Sequence, residues 1–152
     1  MMSHVFDPRL IFFAKHAQHI VLIHFPIALF LTSVLFDLLS WWKHNETLRT
    51  VAYYNLVCAS LFAVGAAITG VLAWQFVFGG EAPSGIILFH LLGASSTVVL
   101  LWLLVALRSR NRADPNKFYS KTYIFLTVIT TLLIAVTAHL GGILSGVEQI
   151  VP

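Results

Sequence analysis

The sequence predicts an all-α fold, an antiparallel bundle of four helices that cross a membrane. Hydrophobic residues make up 59% of the 152 residues and charged residues only 10%, whereas soluble domains carry about 25% charged residues. The apolar segments are long, and between Arg49 and Glu81 there is no charged residue at all. Short polar or glycine-rich stretches separate these segments, so successive spans run in opposite directions.

The chain is predicted to hold one four-helix domain, residues 19–145, between an N-terminal segment and a short tail, residues 146–152. Residues 1–18 contain only a short apolar run bounded by Arg9 and Lys15, and we expect them to lie at the membrane surface. The four segments long enough to span the hydrocarbon core lie at about residues 19–42, 51–78, 86–107 and 122–143.

Each span has a boundary signal. Trp41, Trp42 and Lys43 close the first span with an aromatic belt and a cationic anchor. A turn rich in glycine, residues 79–85, follows the second span. The most polar segment of the chain, residues 108–117, follows the third, and the fourth leaves only the short tail.

The distribution of positive charge predicts the orientation. Seven of the nine lysines and arginines lie in or beside the loops after the first and third spans: Lys43, Arg49, Arg108, Arg110, Arg112, Lys117 and Lys121. Only Arg9 and Lys15 lie on the opposite side. By the positive-inside rule both termini face the periplasm or the exterior. The net charge of +3 is small and the basic residues are scattered along the chain, so they do not indicate a nucleic-acid partner.

Histidines within the apolar segments are the main functional signal, because ionisable side chains inside a membrane are costly and usually mark a site. His24, His90 and His139 each lie four or five residues from the outer end of a span, roughly 6–8 Å below the surface. His19 lies at the boundary, one turn higher. Three helices thus place histidines at one depth, which predicts a shared site in the outer half of the bundle.

Small residues accompany these histidines at helical spacing and predict room for a ligand. The candidate wall residues on the second and third spans are Gly65, Gly70, Gly93 and Ala94. Small residues also form ordinary contacts between membrane helices, so they carry the prediction only together with the histidines. Pro26, two residues after His24, either widens this pocket or is a tolerated bend.

Imidazole suits haem iron, copper and zinc, so the predicted site holds haem b or a first-row transition metal. In an up-down bundle the first and third helices face each other, and His24 and His90 are therefore the preferred axial pair. His19 and His139 support the ligands from outside, bind a second centre, or are themselves the true pair. His19 and His24 lie roughly 140° apart around one helix and do not easily share one small ion. Cys58 is expected to be a small buried hydrophobe.

Asp37 is the other ionisable residue inside a span, near the inner face. It either belongs to a proton path or a quinone pocket, or it is wetted at the interface and bonded to polar neighbours.

The chain resembles the predicted membrane proteins of domain-of-unknown-function family 2231 along nearly its full length. The first helix has the family's H-x4-H-F-P-I-A-L pattern, from His19 to Leu29, followed by the acidic Asp37. Three further features also match the family. They are the glycine-rich part of the second helix, residues 65–70, the histidine that opens the third helix, and the end of the fourth helix, residues 138–144, which is similar to G-H-x-G-G-x-L. Ile20 and Ala138 depart from the pattern, and the tail lacks the extra histidine of some relatives.

The resemblance implies a bacterial or archaeal inner-membrane protein, and relatives fused to cytochrome c modules imply electron transfer. The leading hypothesis is a b-type cytochrome-like protein or redox-complex subunit that exchanges electrons with quinone, a periplasmic cytochrome or a larger redox complex. The alternatives are a histidine-ligated copper, iron or zinc protein and a non-catalytic structural or assembly subunit. Whether a reaction is catalysed stays open, as does homo-oligomerisation. The lipid bilayer is a partner in every case.

Overall fold

Four long helices make up the protein in a computed structural model that describes residues 15–111 and 120–146. They are α1 (Lys15–Lys43), α2 (Glu46–Val77), α3 (Gly85–Asn111) and α4 (Lys121–Leu144). With 24 to 32 residues each they measure about 36 to 48 Å, more than the hydrocarbon core of about 30 Å. All four are long and apolar enough to cross a membrane, and the described ranges contain no strand. The predicted four-helix fold is confirmed.

Local chemistry explains the helix boundaries. The side chain of Asn45 caps α2 by accepting a hydrogen bond from the Leu48 amide at 3.1 Å, and Ser120 caps α4 by accepting from the Tyr123 amide at 3.2 Å. α3 continues past the expected end at residue 107 because the Arg108 side chain is buried and paired inside the bundle. α1 already begins at Lys15. The rest of the expected interfacial segment, most of the expected tail and residues 112–119 lie outside the described residues.

The helices pack as neighbours in chain order. α1 packs along α2, α2 along α3 and α3 along α4, whereas α1 and α4 touch only slightly. We call the end where α1 and α3 begin the histidine end, and the opposite end the arginine end. The slight contact between α1 and α4 leaves the bundle open on one side.

Small residues on α2 bring the helices close together. The buried alanines of α2 are Ala52, Ala59, Ala63, Ala66 and Ala73. Phe30, Leu56, Leu101 and Leu104 fill the middle of the bundle beside them. Cys58 is exposed on α2, so the expectation that it is buried is wrong, because the packed face of that helix passes through Ala59 instead.

Candidate functional site

A cavity of about 400 Å³ lies at the histidine end and is lined by all four helices. Its size falls within the range of small-molecule and cofactor sites. His19, His24 and His90 contribute to its wall. Apolar and small side chains form most of the remainder, among them Ala63, Ala66, Ala67, Gly70, Ala94, Gly141 and Gly142.

His19 is fixed against α2. Its Nδ1 lies 3.1 Å from the Ala66 carbonyl oxygen and 3.2 Å from Thr69 Oγ1. A carbonyl oxygen only accepts, so Nδ1 carries the hydrogen and donates it. In the neutral ring Nε2 then holds a lone pair. Metal-binding histidines have this arrangement, in which the second ring nitrogen donates to a carbonyl and orients the ring.

His90 is fixed in the same way against α4. Its Nδ1 donates to the Thr137 carbonyl oxygen at 3.0 Å, which again leaves the Nε2 lone pair of the neutral ring. Thr137 also lines the cavity, and its buried Oγ1 has no hydrogen-bond partner among the described residues. The two histidines therefore have equivalent tautomers although they lie on different helices.

The rings of His19 and His90 meet across the cavity. Their centroids are 6.4 Å apart and their planes are nearly perpendicular, at 88°. Two imidazoles on opposite sides of one metal have centroids roughly 6 Å apart, since each metal–nitrogen bond is about 2.0 Å. The two rings would therefore be close enough to hold one group between them.

Two glycines make room for these rings. A Cβ added at Gly70 would lie 2.9 Å from His19 Cε1, and a Cβ added at Gly141 would lie 3.1 Å from His90 Cε1. The first contact is closer than real Cβ atoms allow and the second is tight. An alanine at residue 70 would therefore force the His19 ring to shift, and an alanine at residue 141 would crowd the His90 ring.

His24 lines the same cavity but is exposed. Its Nδ1 donates to the Ile20 carbonyl oxygen of its own helix at 2.6 Å. Pro26, buried inside α1, also lines the cavity. The structure thus keeps His24 at the site, while the histidine whose ring meets His90 is His19.

The remaining predicted wall residues fall in different places. Gly70 and Ala94 line the cavity, whereas Gly65, Gly93 and the exposed His139 are not among its lining residues. Gly65 lies against Leu22 of α1, and Gly93 lies against the Thr137 side chain of α4. Both of these glycines serve close contacts between helices.

Gly141 and the Thr137 carbonyl were not predicted from the sequence as parts of the site. A signal for Gly141 was present, because it follows His139 in the glycine-rich end of α4. No side-chain pattern indicates a backbone carbonyl as a histidine partner.

Asp37 lies in a second polar cluster, at the arginine end. It forms a buried ion pair with Arg108 and accepts a hydrogen bond from the Tyr123 hydroxyl at 2.9 Å. Arg108 also donates to Tyr123 Oη at 2.8 Å and to the Arg49 carbonyl oxygen at 2.9 Å. This cluster joins all four helices and lies apart from the cavity lining. Arg108 and Tyr123 were not predicted from the sequence. A signal for Arg108 was present, because a carboxylate inside a span, such as Asp37, usually pairs with a cation at a similar depth.

Within residues 15–111 and 120–146, no group of three histidine, cysteine, aspartate or glutamate side chains is placed to hold a metal ion. The histidines that these ranges place at the cavity are His19, His24 and His90.

Residues 15–151 match the family described as "Predicted membrane protein (DUF2231)". No curated protein and no solved structure matches the chain.

Proposed function

The chain belongs to the DUF2231 family of predicted membrane proteins. Since the description of this family names no chemistry, we propose a function from the residues that line the cavity. In this proposal the protein is a membrane b-type cytochrome-like electron-transfer protein, in which His19 and His90 would hold a haem. The observation that carries the proposal is the perpendicular pair of rings 6.4 Å apart, each ring fixed by an Nδ1 hydrogen bond to a carbonyl oxygen.

The donor set favours haem over a bare metal. A haem brings most of its own coordination, so the two histidines would be enough to hold it. In the ranges that the structure describes, a third metal-binding side chain is not grouped with the pair. The mostly apolar wall supplies a low-dielectric surrounding, which is one means by which proteins tune a redox potential.

The protein residues have distinct tasks at this site. His19 and His90 provide the lone pairs, and the carbonyls of Ala66 and Thr137 set their tautomers. Gly70 and Gly141 leave space for the two rings. When bound, the haem supplies one-electron redox chemistry.

One observation favours a different function. Both histidine hydrogen bonds join neighbouring helices, His19 of α1 to α2 and His90 of α3 to α4. Polar side chains often connect membrane helices in this way. A structural or assembly subunit is therefore the second candidate.

The absorption spectrum of the protein purified in detergent distinguishes the candidates. We expect reduced-minus-oxidised bands of haem b, a positive pyridine haemochrome assay, and loss of the bands in His19→Ala and in His90→Ala. His44→Asn is the control, since it removes a histidine at the arginine end, where a positive φ of 51° suits asparagine.

Two results would contradict the haem proposal. A colourless protein that carries stoichiometric copper, iron or zinc would indicate a bare metal centre. A protein with neither chromophore nor metal, whose His19→Ala and His90→Ala variants are less stable, would indicate the structural role.

We place the histidine end toward the periplasm or exterior, because Lys43, Arg49 and Arg108 belong to the opposite end. Electrons would then be exchanged with a periplasmic cytochrome or a larger inner-membrane redox complex, with homo-oligomerisation as a further possibility. Alkaline phosphatase fused after residue 152 should be active, and the same enzyme inserted after residue 44 should be inactive. The reverse pattern would refute this orientation.

A further inference from the structure

Three exposed cations surround the arginine end of the bundle. Lys43 is the last residue of α1, Arg110 lies in the last turn of α3 and Lys121 is the first residue of α4, and all three are exposed. Arg110 is two residues beyond the buried Arg108. Lys121 is likewise two residues before the buried Tyr123. Two residues correspond to about 200° around a helix, so both of these cations lie on the outer side of their helix, away from the buried ion pair.

The carboxylates at this end do not neutralise the three exposed cations. Asp37 forms its ion pair with Arg108 inside the bundle. Glu46 forms its pair with Arg49 at 2.7 Å. The described residues have no other aspartate or glutamate at the arginine end, and no salt bridge within these ranges reaches the three cations. The outside of this end therefore carries an excess of positive charge.

Two exposed tryptophans place this charge at the level of the lipid headgroups. Trp41 and Trp42, with 67% and 74% of their surface exposed, directly precede Lys43. Tryptophan side chains concentrate at the boundary between headgroups and hydrocarbon. On α4, which has 24 residues and measures about 36 Å, Lys121 also lies close to this boundary, because the hydrocarbon core is about 30 Å thick.

We propose that Lys43, Arg110 and Lys121 bind the phosphate groups of anionic phospholipids, so that these lipids collect around the arginine end. The headgroup phosphate has the complementary charge and lies at the depth of these residues. Each basic residue near an anionic membrane surface raises the affinity roughly fivefold. The histidine end has no such excess, because the described ranges there carry the basic Lys15 and the acidic Glu81.

Quenching of tryptophan fluorescence by brominated lipids tests the proposal. The test protein carries Trp74→Phe and Trp102→Phe, which leave Trp41 and Trp42 as its tryptophans, and it is reconstituted in an equimolar mixture of phosphatidylglycerol and phosphatidylcholine. One lipid or the other is brominated. We expect brominated phosphatidylglycerol to quench more strongly, with an association constant about five times that of phosphatidylcholine. Salt at about 1 M, which shortens the Debye length to about 3 Å, should weaken this preference.

Variants of the three cations identify the residues that bind. The triple variant Lys43→Gln, Arg110→Gln and Lys121→Gln should be quenched equally by either brominated lipid, and it should fold normally, because exposed substitutions have little effect on stability. The charge-conserving triple variant Lys43→Arg, Arg110→Lys and Lys121→Arg should keep the preference. Lys15→Gln, which removes one charge at the histidine end, should keep it as well.

Three results would overturn the proposal. The first is equal quenching by the two lipids when all three cations are present, and the second is a preference that the triple glutamine variant retains. The third is loss of the preference in Lys15→Gln, since the effect would then follow the net charge of the protein and not the arginine end. None of these measurements requires a ligand in the cavity, so they test the lipid surface separately from the proposed function.

Discussion

At the scale of single residues, the tautomer of each cavity histidine is decided by a backbone oxygen. His19, His24 and His90 direct Nδ1 to the carbonyls of Ala66, Ile20 and Thr137. A carbonyl cannot donate, so all three neutral rings keep Nε2 as the acceptor. Two of these carbonyls belong to neighbouring helices, and the ring orientation therefore depends on how the helices pack.

Gly70→Ala is the residue-scale prediction. The new Cβ would lie 2.9 Å from His19 Cε1 and 3.4 Å from its Nδ1, so the ring must move away from the Ala66 carbonyl. Losing the orientation of a metal-binding histidine costs about 10- to 100-fold in affinity. We expect haem affinity to fall by about that factor, measured by titrating haem into the apoprotein.

Gly65→Ala is the matched control on the same helix. Its Cβ would lie 3.5 Å from Leu22 Cδ2, an ordinary van der Waals distance, so haem affinity should stay unchanged. If both alanine variants bind haem like the unmodified protein, His19 is not an axial ligand held by this contact.

At the scale of helices, α2 packs through alanines and faces lipid through larger residues. Ala52, Ala59 and Ala63 are buried, whereas Leu61 and Ile68 are exposed. Small side chains let membrane helices approach closely and gain van der Waals contact, which replaces the hydrophobic driving force that lipid removes. The close approach of α1 also brings His19 within hydrogen-bond distance of Ala66.

Ala59→Leu should therefore destabilise the protein. Ala59 is fully buried, and three extra carbon atoms there force α1 and α2 apart, at a cost of about 1–3 kcal/mol. The measurement is thermal unfolding in detergent, followed by circular dichroism.

Cys58→Leu, one residue earlier, is the comparison. Cys58 is exposed, so the same new side chain faces detergent and the change should be within about 0.5 kcal/mol. Equal destabilisation by both variants would mean that α2 does not pack through its alanine face.

At the scale of the whole molecule, the two ends of the bundle differ in construction. The histidine end holds a cavity bordered by all four helices. The arginine end is closed by the ion pair of Asp37 and Arg108, by the Tyr123 hydroxyl and by the Arg49 carbonyl. The arginine end is therefore held together by polar contacts, while the histidine end has room for a ligand.

Asp37→Asn tests the fastening of the arginine end. It leaves the Arg108 charge buried without its counter-ion, and removing one partner of a buried pair costs about 3–5 kcal/mol. We expect a large loss of thermal stability in detergent, with the haem spectrum retained in the molecules that remain folded.

Glu46→Gln provides the contrast. Glu46 pairs with Arg49 at 2.7 Å, but its side chain is 74% exposed, and an exposed pair contributes about 0–1 kcal/mol. If Asp37→Asn were no more damaging than Glu46→Gln, the cluster would not hold the helices together. Loss of haem reduction with unchanged stability would instead point to a role for Asp37 in proton transfer.

The sequence determined the fold class and the positions of the histidines along the spans. Segments of about 20 apolar residues have few ways to satisfy their backbone in lipid other than as helices, so four of them predict four helices. The depths of His24 and His90 followed from their positions along the spans, because the rise per residue is constant. Those local rules need no knowledge of neighbouring helices.

Only the tertiary structure decided which side chains meet. The pairing of His19 with His90 depends on the rotation of α1 against α2 and on the space left by Gly70 and Gly141. The pairing of Asp37 with Arg108 joins residues 71 positions apart. Both pairings depend on how the helices rotate and pack against one another. In a membrane this packing is set by the fit of small side chains rather than by hydropathy. Hydropathy is the property that the apolar segments of this chain have in common, so it does not predict which faces meet.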